Sequence, residues 1–151
     1  MLLVTLGMMH IKVMQESHIP QVCNIEKVCF SNPWSEADLR KQLELETSHF
    51  LVAVSDEKVT GYMGLQIFSG EGYVTNVAVL PEYRRQGIAR ALIEEQLKNK
   101  MDFITLEVRE SNTPAIHLYT KMGFENVGIR PNFYENPKEN AVLMTRYFDE
   151  K

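Results

Sequence analysis

The sequence holds only two cysteines in 151 residues, Cys23 and Cys29. Both fall on what reads as one helix, where six residues of rise set them about 9 Å apart, beyond disulfide reach. Reduced thiols are expected, and a disulfide scaffold is excluded. Histidine is equally sparse: His10, His18, His49 and His117 share no ligand spacing, so no metal is expected. No apolar run approaches the roughly twenty residues of a membrane span. The apolar opening, Met1 to Gly7, is too short for a signal-peptide core, lacks a basic start and gives way to His10 and Lys12. A cytoplasmic protein without a membrane partner is the expectation. Positive charge is not in excess either, and a net charge of −4 argues against direct nucleic-acid binding while leaving room for a local basic cup. With only six prolines and eight glycines, long disordered tracts are excluded. The length suits one domain, 1–151, able to bury about two-thirds of the surface its unfolded chain exposes.

The stretch from Tyr73 to Ala91 stands out. Tyr73 to Leu80 is nearly continuous in apolar and β-branched residues, and Pro81 ends it because proline gives no N–H to a ladder. The period then changes: Ala89, Leu92, Ile93 and Leu97 recur at helical spacing, predicting a helix from near Gln86. A helix start carries unpaired N–H groups and the positive end of the dipole, a ready site for phosphate or pyrophosphate. Gly87 lets a ligand approach the backbone, small Ala89 does the same two residues on, and Arg84, Arg85 and Arg90 add charge. The usual nucleotide signatures are missing, since no Lys-Ser or Lys-Thr follows a glycine loop and Gly87 stands alone. What remains is R-x-x-G-x-A.

In chain order, Ile11 and Val13 mark a short strand, and Ser17 is expected to cap a helix striped by Ile19, Val22, Cys23, Cys29 and Phe30. Glu26 falls within that stripe, and is read as an edge carboxylate with a wet head or as a substrate contact. Pro33 breaks the helix, and Ser35 with Asp38 forms a capping-box variant for the next one. Trp34, between the two helices, is a packing anchor or a groove wall. Phe50–Val54 and Val59–Phe68 form a hairpin turning at Ser55–Lys58, and Ser69–Gly72 turns into the strand already described.

Phe103–Arg109 reads as a strand with Ile104, Leu106 and Val108 on one face and Phe103, Thr105, Glu107 and Arg109 on the other. Glu107 is either salt-paired with Arg109 or catalytic. Thr113 is expected to cap a following helix with Pro114 at its first position, and Gly123 to stop it. Asn112 and Tyr119 then point the same way, with Tyr119 either core or functional. Phe124–Ile129 is a strand, Arg130–Glu139 a polar loop carrying Phe133 and Tyr134, and Ala141–Tyr147 a last strand.

The R-x-x-G-x-A run of Arg84, Gly87 and Ala89, behind Val77-Ala78-Val79 and Pro81, resembles the acyl-CoA motif of the GNAT superfamily of N-acetyltransferases. The element order βααβββαβαββ is also that of the GNAT fold, an α/β (α+β) domain with a central, mostly antiparallel sheet flanked by helices. The likeness narrows at Leu106-Glu107-Val108-Arg109, at Asn112 with Ala115 and Tyr119, at Gly123-Phe124, at Phe30 to Ser35 and at Phe133-Tyr134. These resemble the bacterial RimI-type ribosomal-protein-alanine N-acetyltransferases.

That resemblance implies acetyl-CoA as co-substrate and no metal. It implies Glu107 as general base, Tyr119 as general acid and Asn112 as a CoA contact, with Val77, Ala78, Val79, Arg85, Gln86, Gly87, Ile88, Ala89 and Arg90 in the acetyl-CoA segments. Trp34 and Tyr134 would wall the acceptor site, and the acceptor would be the alanine N-terminus of a small-subunit ribosomal protein. Two other functions stay open: acetylation of a small amine, a lysine or a broader set of protein N-termini, and a non-catalytic CoA-binding module.

Overall fold

The computed structural model describes residues 9–148. The opening segment, Met1 to Gly7, lies outside them. Within the described residues the order is β1 (Met9–Val13), α1 (Ile19–Cys29), α2 (Glu36–Leu43), β2 (Leu51–Ser55), β3 (Lys58–Phe68), β4 (Glu71–Val79), α3 (Ile88–Gln96), β5 (Phe103–Arg109), α4 (Thr113–Lys121), β6 (Glu125–Tyr134) and β7 (Glu139–Tyr147). This is the expected βααβββαβαββ. The strands form a seven-stranded mixed sheet ordered β1-β2-β3-β4-β5-β7-β6. Among the described residues no helix is long and apolar enough to cross a membrane. The chain divides into two compact units, one reaching to Gln66 and adding Thr75–Asn99, the other comprising Ile67–Val74 and the residues from Lys100 on.

In the first unit, β1 pairs antiparallel with β2, and β2 with β3, around a two-residue turn in which Asp56 and Glu57 take φ of 50° and 69°. That is the expected hairpin. Its twist matches the flanking strands because both central residues are left-handed. Ile19, Val22, Ile25, Leu39, Val52 and Tyr62 are wholly buried and form the centre of the core. The entry to α1 differs from expectation. Ser17 sits inside a 3-10 turn, Glu16–His18, and does not cap; the helix instead begins at Ile19, with His18 at the cap position offering no side-chain bond and Pro20 in the first turn. Proline removes one of the amides a cap would satisfy. The Ser35–Asp38 box does form, with Asp38 N–H donating to Ser35 Oγ (3.1 Å) and Ser35 N–H to Asp38 Oδ2 (3.0 Å). The two thiols are free, as expected.

In the second unit, β4 runs parallel to β5 from Glu71↔Phe103 to Tyr73↔Thr105, and β5 pairs antiparallel with β7 from Phe103↔Tyr147 to Arg109↔Ala141. Ile104, Leu106 and Val108 are buried and the alternate residues half-buried, as period two requires. The cap of α4 is Asn112 rather than Thr113: its Oδ1 accepts from Ala115 N–H at 3.3 Å. Pro114 is then the second helical residue, one place later than expected. Gly123, at φ +93°, ends the helix region in a conformation only glycine adopts without strain.

The segment Arg130–Glu139 is not a loop throughout. β6 continues to Tyr134, with Tyr134 opposite Glu139, and β7 begins at Glu139. A register shift between Arg130 and Tyr134 accommodates Asn132 at φ +56°, whose N–H donates to Asn140 Oδ1 at 2.9 Å. The polar composition therefore marks a bulged strand.

Candidate active site

The first group of site residues lies in the first unit, at the end of β4 and the start of α3. Ala78 and Val79 are buried and Val77 half-buried. The Val79 carbonyl accepts from Arg84 Nε at 2.9 Å, so this arginine of the motif is spent on holding the turn. Pro81–Tyr83 form a 3-10 turn, and Arg85 and Gly87 follow at φ +64° and +80°. The helix then starts at Ile88, two residues after the expected Gln86, with Gly87 as a cap that has no side chain to offer. Its first backbone bond runs from Ala91 N–H to the Gly87 carbonyl (3.0 Å), leaving the amides ahead of it without a helical acceptor. A Cβ added at Gly87 would meet nothing within 4 Å, so the approach to those amides is open.

This is a cradle for an anionic group, and the residues present fit the pyrophosphate of a CoA ester. Their parts differ. Ile88 is buried, so its side chain anchors the helix; Gln86 Nε2 donates weakly to the Glu82 carbonyl at 3.5 Å, and Arg90 is exposed and paired with Glu94 at 3.1 Å. A residue the sequence did not single out, Gly61, makes the turn possible: a Cβ there would lie 3.0 Å from the Ala78 carbonyl and 3.2 Å from Ile88 Cγ2.

Trp34 also belongs to the first unit. It is half-buried between α1 and α2, with its ring stacked on Phe50 at 6.2 Å, and its N–H donates to Glu26 Oε1 at 2.9 Å. Glu26 departs from both readings of it. Only 1% of it is exposed, and its other oxygen accepts from the Tyr62 hydroxyl and from Asn76 Nδ2.

The second group lies in the second unit. Glu107, near the end of β5, is half-buried and its Oε2 accepts from Arg130 Nε at 3.1 Å. Its alternative pairing with Arg109 does not form among the described residues, because Arg109 is occupied elsewhere. Its guanidinium donates to Glu139 Oε1 (3.0 Å), to the Pro137 carbonyl (2.9 Å) and to the Glu135 carbonyl (3.1 Å), and lies 4.4 Å from the centre of the Tyr134 ring. Arg109 therefore clamps the β6–β7 turn. Hydrogen bonds from Ser111, then the Arg109 guanidinium, hold the Glu139 carboxyl below its ordinary range.

Tyr134 and Tyr119 complete this group. Burial, then the negative charge of Glu107, pushes the Tyr134 hydroxyl up to about 12. Burial, then Tyr134, pushes Tyr119 up to about 12, and its ring packs on Phe124 at 5.7 Å. Glu107, Tyr134 and Tyr119 thus share one electrostatic neighbourhood, in which both phenols are held protonated. Asn112 stands exposed at the start of α4, its Oδ1 committed to the cap, and its amide nitrogen meets no acceptor among the described residues. Sequence reasoning missed Arg130; the alternation that put Glu107 and Arg109 on one face carried no information about β6.

Comparison with known proteins meets these observations. Residues 19–124 match the acetyltransferase (GNAT) family. Over 140 residues the chain is 32% identical to the ribosomal protein bS18-alanine N-acetyltransferase of Escherichia coli (strain K12), covering 89% of this chain and 94% of that one. An N-alpha-acetyltransferase of Saccharolobus solfataricus is 41% identical over 114 residues, 64% of this chain and 68% of its own. The crystal structure of the ribosomal-protein-S18-alanine N-acetyltransferase from Escherichia coli superposes with a TM-score of 0.87 at 30% identity, over 95% of this chain and 96% of that chain. With a family match across most of its length and whole-chain relatives at this identity, the chain belongs to the acetyltransferase (GNAT) family and is an N-acetyltransferase.

Proposed function

We propose that residues 1–151 act as one domain that transfers acetyl from acetyl-CoA to the α-amine of a protein N-terminus, with the alanine end of a small-subunit ribosomal protein as acceptor. The site of action is the cytoplasm. The observation that carries the chemistry is the half-buried Glu107 beside two tyrosines that stay protonated. The relatives named for ribosomal protein bS18 support the acceptor.

In this reading the amides of Arg85, Gln86, Gly87, Ile88, Ala89 and Arg90 receive the pyrophosphate, and the free amide nitrogen of Asn112 donates to the CoA moiety. Backbone N–H groups of Val77, Ala78 and Val79 steady the thioester carbonyl as it becomes an oxyanion. An N-terminal ammonium has an ordinary pKa of about 7.7 to 8.0, so only a modest base is needed. Glu107 takes its proton, directly or through a water, and the amine nitrogen bonds to the acetyl carbon. The carbon–sulfur bond then breaks. Tyr119 protonates the departing thiolate and is reprotonated by the second proton that the acylated nitrogen sheds, leaving CoA and the N-acetylated chain. Trp34 and Tyr134 contact the acceptor peptide, Tyr134 through its hydroxyl.

A panel of acceptors followed by thiol release tests this. An alanine-starting peptide copying the ribosomal N-terminus is expected to turn over fastest, and the same peptide with a blocked α-amine not at all. Faster turnover of a polyamine or of a lysine side chain would overturn the acceptor. Equal turnover of many N-termini would favour the broader reading that the Saccharolobus relative's name suggests.

A further inference from the structure

We propose that Glu26 is a positioning residue for the acceptor side of the site: its buried carboxylate fixes the main chain at Trp34 and the side chain of Asn76, the residue just before Val77. The part about catalysis rests on the acceptor reading above; the anchoring itself does not.

Glu26 lies on the buried face of α1, among Ile19, Val22, Cys23 and Ile25. A carboxylate at 1% exposure is costly to bury unless donors satisfy it, and an aliphatic side chain there would fill the space without that cost. Three donors do satisfy it. Oε1 accepts from Trp34 N–H at 2.9 Å, while Oε2 accepts from the Tyr62 hydroxyl and from Asn76 Nδ2 at 3.0 Å. Among the described residues no lysine or arginine pairs with it, so the group is held by neutral donors in fixed directions. Each of these donors comes from a different place: the α1–α2 connection, β3 and β4.

What these donors hold is functional ground. In the connection, residues 30–33 and Ser35 are exposed, and Trp34 is the one residue turned inward. Its N–H goes to Glu26, its carbonyl receives the Cys23 thiol at 3.8 Å, and its ring lies on Phe50. Asn76 is held on the other side, with its own Oδ1 buried and unpartnered, so the bond to Glu26 fixes which way its amide faces. One carboxylate therefore sets both the loop carrying Trp34 and the direction of the Asn76 side chain. A satisfied buried network of this kind fixes a single geometry.

Trp34 is the only tryptophan of the chain, so its fluorescence reads the loop directly. Glu26→Met fills the volume without an acceptor. Glu26→Gln keeps an oxygen for Trp34 N–H, and its new amide can donate to the Tyr62 oxygen and to the orphaned Asn76 Oδ1 after that group turns. In Glu26→Met, Trp34 emission is expected to shift to the red and become more open to acrylamide. The KM for the alanine peptide should rise about tenfold or more with kcat nearly kept, and acetyl-CoA affinity should not change. Glu26→Gln should restore emission and KM. Should Glu26→Met fail to fold, Glu26→Asp, one methylene too short to reach all three donors, carries the same test. Parental Trp34 emission and KM in the broken variant, a parallel loss of acetyl-CoA affinity, or no rescue by glutamine would overturn the assignment. If the parent protein acetylates no peptide, the acceptor reading fails while the fluorescence arm still decides the anchoring.

Discussion

The chain carries two carboxylates that matter, and they are held in opposite ways. Glu26, in the first unit, is 1% exposed and bonded to three neutral donors. Glu107, in the second, has a side chain 27% exposed and a single guanidinium partner, Arg130, itself 55% exposed. The first arrangement leaves no free lone pair aimed at solvent and suits a group that must not move. The second, among the described residues, leaves one oxygen unengaged and rests on an ion pair of the partly exposed kind that gains little in high dielectric, as the proposed exchange for a substrate ammonium requires. Burial with neutral donors suits a brace; partial exposure with one guanidinium partner suits the base proposed for Glu107.

The sharpest way to break that comparison is to neutralise each carboxylate in turn. Glu107→Gln keeps the shape and removes the proton acceptor, so turnover should fall by about 10²-fold or more while acetyl-CoA affinity, read by calorimetry, stays the same. Glu26→Gln should leave turnover near the parent's. Equal losses in both would erase the distinction. Gly87→Glu should abolish acetyl-CoA binding, since it puts a negative charge at the open amides and a side chain at φ +80°; a folded variant that binds as the parent does would displace the cofactor site from the start of α3.

Tyr119→Phe should cost about 10²-fold in turnover if the phenol protonates the thiolate. Because burial raises this hydroxyl to about 12, it remains protonated well past its ordinary value of about 10, and the parent's kcat should show no tyrosine limb up to that pH. The same shift has a stability counterpart. A phenol raised in the folded state favours folding fully below its unfolded value near 10 and loses that contribution as pH rises toward about 12. The smallest effect is expected at Ser35→Ala, which removes one half of the capping box of α2. It should cost about 1 kcal/mol and lower Tm by roughly 2–4 °C, with acetyl-CoA binding untouched.

Much of this was legible in the sequence, for local reasons. Strand alternation set Glu107 apart from Ile104, Leu106 and Val108, and the break at Pro81 with the new period after Gln86 located the turn. What was not legible depended on partners far along the chain. The helical stripe put Glu26 among buried residues, but its donors stand 8, 36 and 50 positions away, and nothing in α1 announces them. Arg109 was the obvious partner for Glu107 at two residues' distance; only the β6–β7 turn, which claims Arg109, leaves Glu107 to Arg130. Where two good formers sit side by side, as Asn112 and Thr113 do, propensity cannot choose the cap, and the structure gives it to Asn112. The bulge at Asn132 hid the length of β6, because a left-handed asparagine bonded to Asn140 reads as loop chemistry.

Acetyl transfer to an N-terminal α-amine with Glu107 as base is checked by locating the acetyl group. A peptide that begins with alanine and carries an internal lysine is incubated with acetyl-CoA and either the parent or Glu107→Gln, and the product is fragmented in a mass spectrometer. Acetyl is expected on the alanine nitrogen with the lysine free, and the product is expected to be all but lost in the variant. Acetyl on the lysine with a free N-terminus, or an undiminished yield from Glu107→Gln, would contradict it.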